Sequence, residues 1–196
     1  MKNGKLIVVE GIEGGGKTSS IKKAMEMSRE GEIVYSGGFP VDSSWDRFVH
    51  SHPDSTLYYL YFALRRQGIR SELSKGKLVV QDKYIQSVDS FLPDCRWTRN
   101  RIARKMFNPF FVTPDLYIHF TLTSEESLRR IGLKTGEEHR EYYQHLLSHP
   151  EEIIERQREY QRVFNSLSCP KVEIDVTALS IEESAGRLLE EIANVS

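Results

Sequence analysis

"VVEGIEGGGKTSS", residues 8–20, is the stretch on which the fold turns. An apolar run ends at an acidic residue, four glycines follow within six positions, and Lys17-Thr18 comes next. Gly11, four residues and then Gly16-Lys17-Thr18 fit G-x-x-x-x-G-K-[ST], the pattern of a phosphate-binding loop. With no Cβ in the way at Gly11, Gly14, Gly15 and Gly16, backbone N–H groups can turn inward around an anion. The helix expected from Thr18 onward, with Ser19 in its first turn, adds its positive N-terminal end. Lys17 can reach β- and γ-phosphates, and the Thr18 hydroxyl can ligate Mg²⁺. The flanks agree: residues 6–9 are strand-like and 18–28 helix-like. The stretch therefore predicts ATP-type nucleotide binding with Mg²⁺ as cofactor, but not what becomes of the phosphate.

The rest of the chain bounds that reading. At 196 residues it is expected to be one domain, 1–196, large enough to bury a real core. The net charge of −1 gives no basic field for nucleic acid. The longest apolar runs are strand-sized, so no membrane span is expected. Residues 1–5 lead straight into the first strand without the apolar region of a signal peptide. Cys95 and Cys169, far apart, fit free thiols in a reducing cytoplasm.

Apolar runs at 6–10, 32–35, 78–82, 115–121 and 172–175 predict strands. Helices are predicted over 18–28, 56–74, 99–107, 125–131, 151–167 and 181–193, with capping boxes at Thr123/Glu126 and Ser180/Glu183. Short apolar strands alternating with helices predict an α/β fold, a five-stranded parallel sheet covered on both faces. Ligands of such sheets sit beyond the carboxyl ends of the strands, after Glu10, Tyr35, Asp82 and Thr121.

Asp82 closes the third strand, where a carboxylate can hold a Mg²⁺ shell, and "KYIQS" follows with Lys83, Tyr84 and Ser87. Further on, Arg129-Arg130 precedes "LKTGEEHREYYQH", a polar segment with no sustained apolar stripe. Its Lys134, His139 and Arg140 suit a small lid, about 132–148, closing over phosphates.

In this order the stretches resemble the thymidylate kinase family nearly end to end. The family's E-G-x-E-G-x-G-K-T stands here as "EGIEGGGKT", its D-R-Y-x-x-S as "DKYIQS", its P-D-L as "PDLYIHF", and its I-D-A strand exit as "IDVTALSIEES". The resemblance implies a P-loop kinase fold and transfer of the γ-phosphoryl of ATP to a nucleoside monophosphate, with deoxythymidylate the family's acceptor. It implies that Glu13 binds the acceptor sugar hydroxyl and Lys83 the acceptor phosphate, and that Arg65 and Ser87 lie near the base. The chain departs from the pattern mainly on the acceptor side. R-E-P-G-G-T is replaced by "YSGGFP", which lacks the arginine; Lys83 stands for arginine and Leu64 for aspartate. A lysine is a point charge without the planar fork of arginine.

Phosphoryl transfer spreads negative charge that cations must clamp. The loop offers only Lys17, so a second cation is expected from Lys134 or Arg140, or from Arg129 and Arg130 at the lid hinge. Phe39 and Trp45, after the second strand, are candidates for base stacking, and Arg47 is a candidate to replace the missing arginine. His50 and His52 have no third ligand at a recognised spacing, and His139, His145 and His149 make no zincin pattern. The aromatic run "LYYLYFALRR" suits core or a homodimer face. Beside the monophosphate kinase, two readings stay open: a kinase of the same fold for a deoxynucleoside or other small acceptor, and a nucleotide-binding regulator that transfers nothing.

Overall fold

The computed structural model describes residues 4–29, 31–37, 55–85, 87, 105–134 and 140–195. Strand β1 (Lys5–Gly11) feeds the glycine loop and helix α1 (Lys17–Met27), followed by β2 (Ile33–Ser36), α2 (Ser55–Ser74) and β3 (Leu78–Asp82). A 3-10 turn (Asn108–Phe110) precedes β4 (Leu116–Thr121), then come α3 (Ser124–Gly132), α4 (Arg140–Ser148), α5 (Pro150–Ser166), β5 (Lys171–Asp175) and α6 (Ile181–Val195). The five strands form one parallel sheet in the order β2-β3-β1-β4-β5. All five strand predictions and the parallel pairing are met, with ends shifted by a residue or so.

Alternation along β1 explains the layers. Ile7 and Val9 join one buried cluster with Ile21 and Ala24 of α1 and Ala185, Leu188 and Ile192 of α6. Leu6 and Val8 join the opposite cluster with Ile69 of α2 and Phe164 of α5. A strand sending successive side chains to opposite faces must be apolar at every position when helices cover both. Pairing of Val9 with Asp82 and of Gly11 with Phe120 brings the ends of β1, β3 and β4 to one edge.

Gly11 is there for lack of space. At φ 145°, a Cβ would lie 2.3 Å from the Phe120 carbonyl oxygen. Thr123 caps α3, accepting the Glu126 N–H at 3.2 Å. At α6 both halves of the box form, Ser180 N–H to Glu183 at 2.8 Å and Glu183 N–H to the Ser180 hydroxyl at 3.1 Å.

The segment 132–148 differs from the polar loop expected there. Its second half is helix α4, with Leu146 fully buried in the main core and Tyr142 and Tyr143 packed against it. One deeply set leucine and two half-buried tyrosines dock the helix without the repeating apolar stripe that marks helices in sequence. Residues 135–139, with His139, lie outside the described residues, as do 99–104 of the helix expected at 99–107.

Candidate active site

The loop and the strand ends form one polar cluster. Gly14 and Gly16 have positive φ, 80° and 70°, which turns the loop around its own centre. Ser127 and Arg130 of α3 brace it from outside. The Ser127 hydroxyl donates to the Glu13 carbonyl at 2.7 Å, and the Arg130 guanidinium donates to the carbonyls of Gly14 (3.4 Å), Val176 (2.8 Å) and Thr177 (3.0 Å). Lys17 is buried, its ammonium donating to the carbonyls of Gly11 (2.6 Å) and Ile12 (2.8 Å). Burial, then the charge of Lys83, push its pKa down to about 8.

Asp82 faces this loop from β3. One carboxylate oxygen accepts the Thr18 hydroxyl and, at 3.2 Å, the Tyr35 hydroxyl. The other, Oδ1, is buried and has no hydrogen-bond partner among the described residues. A buried carboxylate oxygen left unbonded is costly unless something completes it. With a threonine hydroxyl on the same carboxylate, the pair fits a hard cation taking oxygen ligands, which is the chemistry of Mg²⁺.

The two glutamates of "EGIEGGGKT" have separate jobs. Glu10 is fully buried and accepts the Tyr84 N–H and the Ser87 hydroxyl, each at 2.6 Å. Burial raises its pKa to about 7 against those hydrogen bonds. Glu10 thus pins the turn after β3, in which Lys83 takes the left-handed backbone, φ 62°. That conformation costs a non-glycine residue roughly 1–2 kcal/mol. The Lys83 N–H bond to Val9 (3.1 Å) and the Gln81 amide bond to the Lys83 carbonyl (2.7 Å) help hold it.

Glu13 faces the other way. The Tyr142 hydroxyl donates to its Oε1 at 3.0 Å, Lys83 Nζ stands 4.0 Å from the same oxygen, and Arg156 lies 3.7 Å from Oε2. Arg156 also donates to the Tyr142 hydroxyl. Burial raises the Glu13 carboxyl, but Lys83, Arg156 and Lys17 together outweigh it and hold the pKa below the usual value. Glu13 Oε2 is buried and has no hydrogen-bond partner among the described residues.

A relative from Bacillus licheniformis, a thymidylate kinase, is 31% identical over 156 residues, 69% of this chain and 72% of its own. The chain belongs to the thymidylate kinase family. A thymidylate kinase from Desulfotalea psychrophila is 27% identical over a longer stretch of 181 residues, 86% of this chain and 84% of that one. The solved structure of the Candida albicans thymidylate kinase superposes with a TM-score of 0.69 at 17% identity, covering 98% of this chain and 92% of that one, which supports the fold. No protein-family model matches the chain.

Of the residues singled out in sequence, Gly11, Glu13, Gly14, Gly15, Gly16, Lys17, Thr18, Asp82 and Lys83 gather at the carboxyl ends of β1 and β3. Ser19 is exposed in the first turn of α1. Ser87 departs from its expected place against the base: it is 2% exposed and turned inward onto Glu10, with Tyr160 at 3.4 Å. Arg130 is tied to backbone carbonyls and to Glu126 at 2.6 Å, bracing the loop. Lys134 donates to the Tyr143 hydroxyl at 2.9 Å, and Arg140 is exposed at the start of α4. Arg65 lies on α2, its side chain outside the description, and Phe39, Trp45, Arg47, His50 and His52 lie outside the described residues. Sequence reasoning missed Tyr142 and Arg156. Both stand in polar, helix-like sequence far from the motifs, and only the fold carries them to Glu13.

Proposed function

We propose that this thymidylate kinase family member transfers the γ-phosphoryl group of ATP to thymidylate, giving ADP and thymidine diphosphate. The observation that carries the reading is the pair of buried carboxylates beside the loop, Asp82 and Glu13, each with one unbonded oxygen and each ringed by donors. Thr18 donates to the other oxygen of the same Asp82 carboxylate, where a cation on ATP phosphates would lie. The unbonded Glu13 oxygen has Arg156 at 3.7 Å while its partner oxygen meets Tyr142 and Lys83, so a sugar hydroxyl could donate to the first and an acceptor phosphate could meet a cation.

In the reaction an acceptor phosphate oxygen attacks Pγ, the bond from Pγ to the β–γ bridging oxygen breaks, and that oxygen leaves on ADP. Lys17 leaves the carbonyls of Gly11 and Ile12 for the β- and γ-oxygens, and loop N–H groups orient the phosphates. Mg²⁺, held by Thr18 and Asp82, supplies charge neutralisation on those oxygens when bound. Lys83, Glu13, Tyr142 and Arg156 orient the acceptor, and Lys134 and Arg140 bring the second cation. Arg65 and Phe39 contact the base, and Ser87 acts on the acceptor side by fixing the Lys83 turn through Glu10.

An ADP-release assay over thymidylate, other nucleoside monophosphates and uncharged nucleosides tests this. Thymidylate is expected to give the highest kcat/KM, and Lys83→Arg is expected to sharpen the preference by restoring a planar fork. ADP release with a nucleoside and none with any monophosphate overturns the reading.

A further inference from the structure

We propose that the corner between α4 and α5 binds a divalent transition metal, with Zn²⁺ the natural probe, through His145, His149 and Glu152. One ligand-capable atom from each of the three lies within 4.8 Å of the others. His145 lies in the last turn of α4, His149 caps the start of α5 and Glu152 lies in the first turn of α5, so the corner between the two helices carries all three. Two imidazole nitrogens and one carboxylate oxygen form a mixed donor set that suits zinc or copper, whereas Mg²⁺ and Ca²⁺ take oxygens.

Two of the three side chains already carry the outer bonds that orient metal ligands. His149 Nδ1 lies 3.0 Å from the carbonyl oxygen of His145. A carbonyl can only accept, so the proton is on Nδ1 and the lone pair of the neutral ring is on Nε2. Such backbone anchoring of the distal N–H is the usual companion of a ligating histidine. Glu152 divides its oxygens in the same manner. Oε2 faces Arg156 Nη2 at 3.4 Å, while Oε1 meets His145 Nε2 at 2.6 Å. A metal on Oε1 therefore leaves the Arg156 contact in place.

The ligand atoms, all within 4.8 Å of one another, take an ion by a local rearrangement of side chains. Tetrahedral zinc with bonds of 2.0–2.1 Å holds its ligand atoms roughly 3.3 Å apart. His145 and Glu152 must open by less than one ångström, and His145 is half exposed. The His145 and His149 rings stack with centroids 4.3 Å apart and 27° between their planes, so one ring must turn to aim its in-plane lone pair at the ion. The ion displaces the proton between His145 Nε2 and Glu152 to solvent and leaves its fourth position open to water. Among the described residues, Glu152 links the site to the acceptor cluster through Arg156.

Titration calorimetry of the full chain with zinc chloride tests the site. Excess Mg²⁺ is present to occupy the Thr18/Asp82 position, and a Cys95→Ser/Cys169→Ser background removes thiol ligation. One equivalent is expected to bind. His145→Ala and His149→Ala should each weaken it by at least the ~10–100-fold seen on losing even an outer partner of a ligand, with metal-free melting unchanged. Zinc-edge X-ray absorption of the complex should show two imidazoles. No stoichiometric binding, undiminished binding in both histidine variants, or a shell without imidazole overturns the proposal.

Discussion

Lys17 carries a conflict that the site can use. Its ammonium is 7% exposed and shares its surroundings with Lys83, so its pKa is pushed down to about 8. The cation is thus only just retained at neutral pH. We expect kcat/KM for ATP, which reports the free enzyme, to be flat below pH 8 and to fall about tenfold per unit above it. The stability effect has the opposite sign. Between about 8 and the unfolded value of 10.5 the unfolded chain binds the extra proton, so this group makes folding more favourable as pH rises. A fall in activity up to pH 9.5 with no fall in melting temperature is the expected signature, and a flat profile contradicts it. Lys17→Ala should lower turnover by ~10²–10³, the cost of losing one electrostatic donor. For Asp82→Asn, which keeps shape and removes charge, turnover should drop far more than ATP affinity, with a raised Mg²⁺ requirement. An unchanged rate with a lower melting temperature would make Asp82 a structural carboxylate. At this scale the loop residues were legible because local spacing alone builds the loop. Tyr142 and Arg156 were not, because their meaning depends on being folded against Glu13 from more than a hundred residues away. The inward turn of Ser87 was hidden too, since sequence does not tell which side of the turn Glu10 claims.

Among elements, strands declared themselves and α4 did not. Strands buried on both faces are mostly apolar runs, so β1, β3 and β4 were readable. Helix α4 is held by Leu146, fully buried, and by the Tyr142 bond to Glu13, a pattern too sparse for periodicity to catch. The architecture makes α4 both a packed element and the carrier of a site residue. Leu146→Ala should cost about 2–5 kcal/mol, the range for emptying a buried leucine site. At this chain length that is a fall of roughly 2–4 °C in Tm per kcal/mol. It should also raise KM for the acceptor more than KM for ATP, because Tyr142 loosens with its helix. Thermal melting and steady-state kinetics check both, and a variant with wild-type Tm and acceptor KM would show that α4 is not anchored as described.

Across the whole molecule, the parallel sheet turns a scattered sequence into one reaction edge. Register sets the ends of β1, β3 and β4 together, the glycine loop follows β1, and α4 and α5 reach Glu13 within that loop through Tyr142 and Arg156. The two halves differ in character. The phosphate-loop motif is complete, while the stretch after β2 lacks the arginine of the family pattern and Lys83 sits in a left-handed turn. Transfer between the two halves is therefore the central claim, and following the phosphoryl group itself tests it most directly. Incubating the chain with γ-labelled ATP, Mg²⁺ and thymidylate and separating the products should place the label in the β-phosphate of thymidine diphosphate, in step with ADP formation. Label found only in inorganic phosphate, or left in ATP under conditions where the chain binds both nucleotides, would contradict the account.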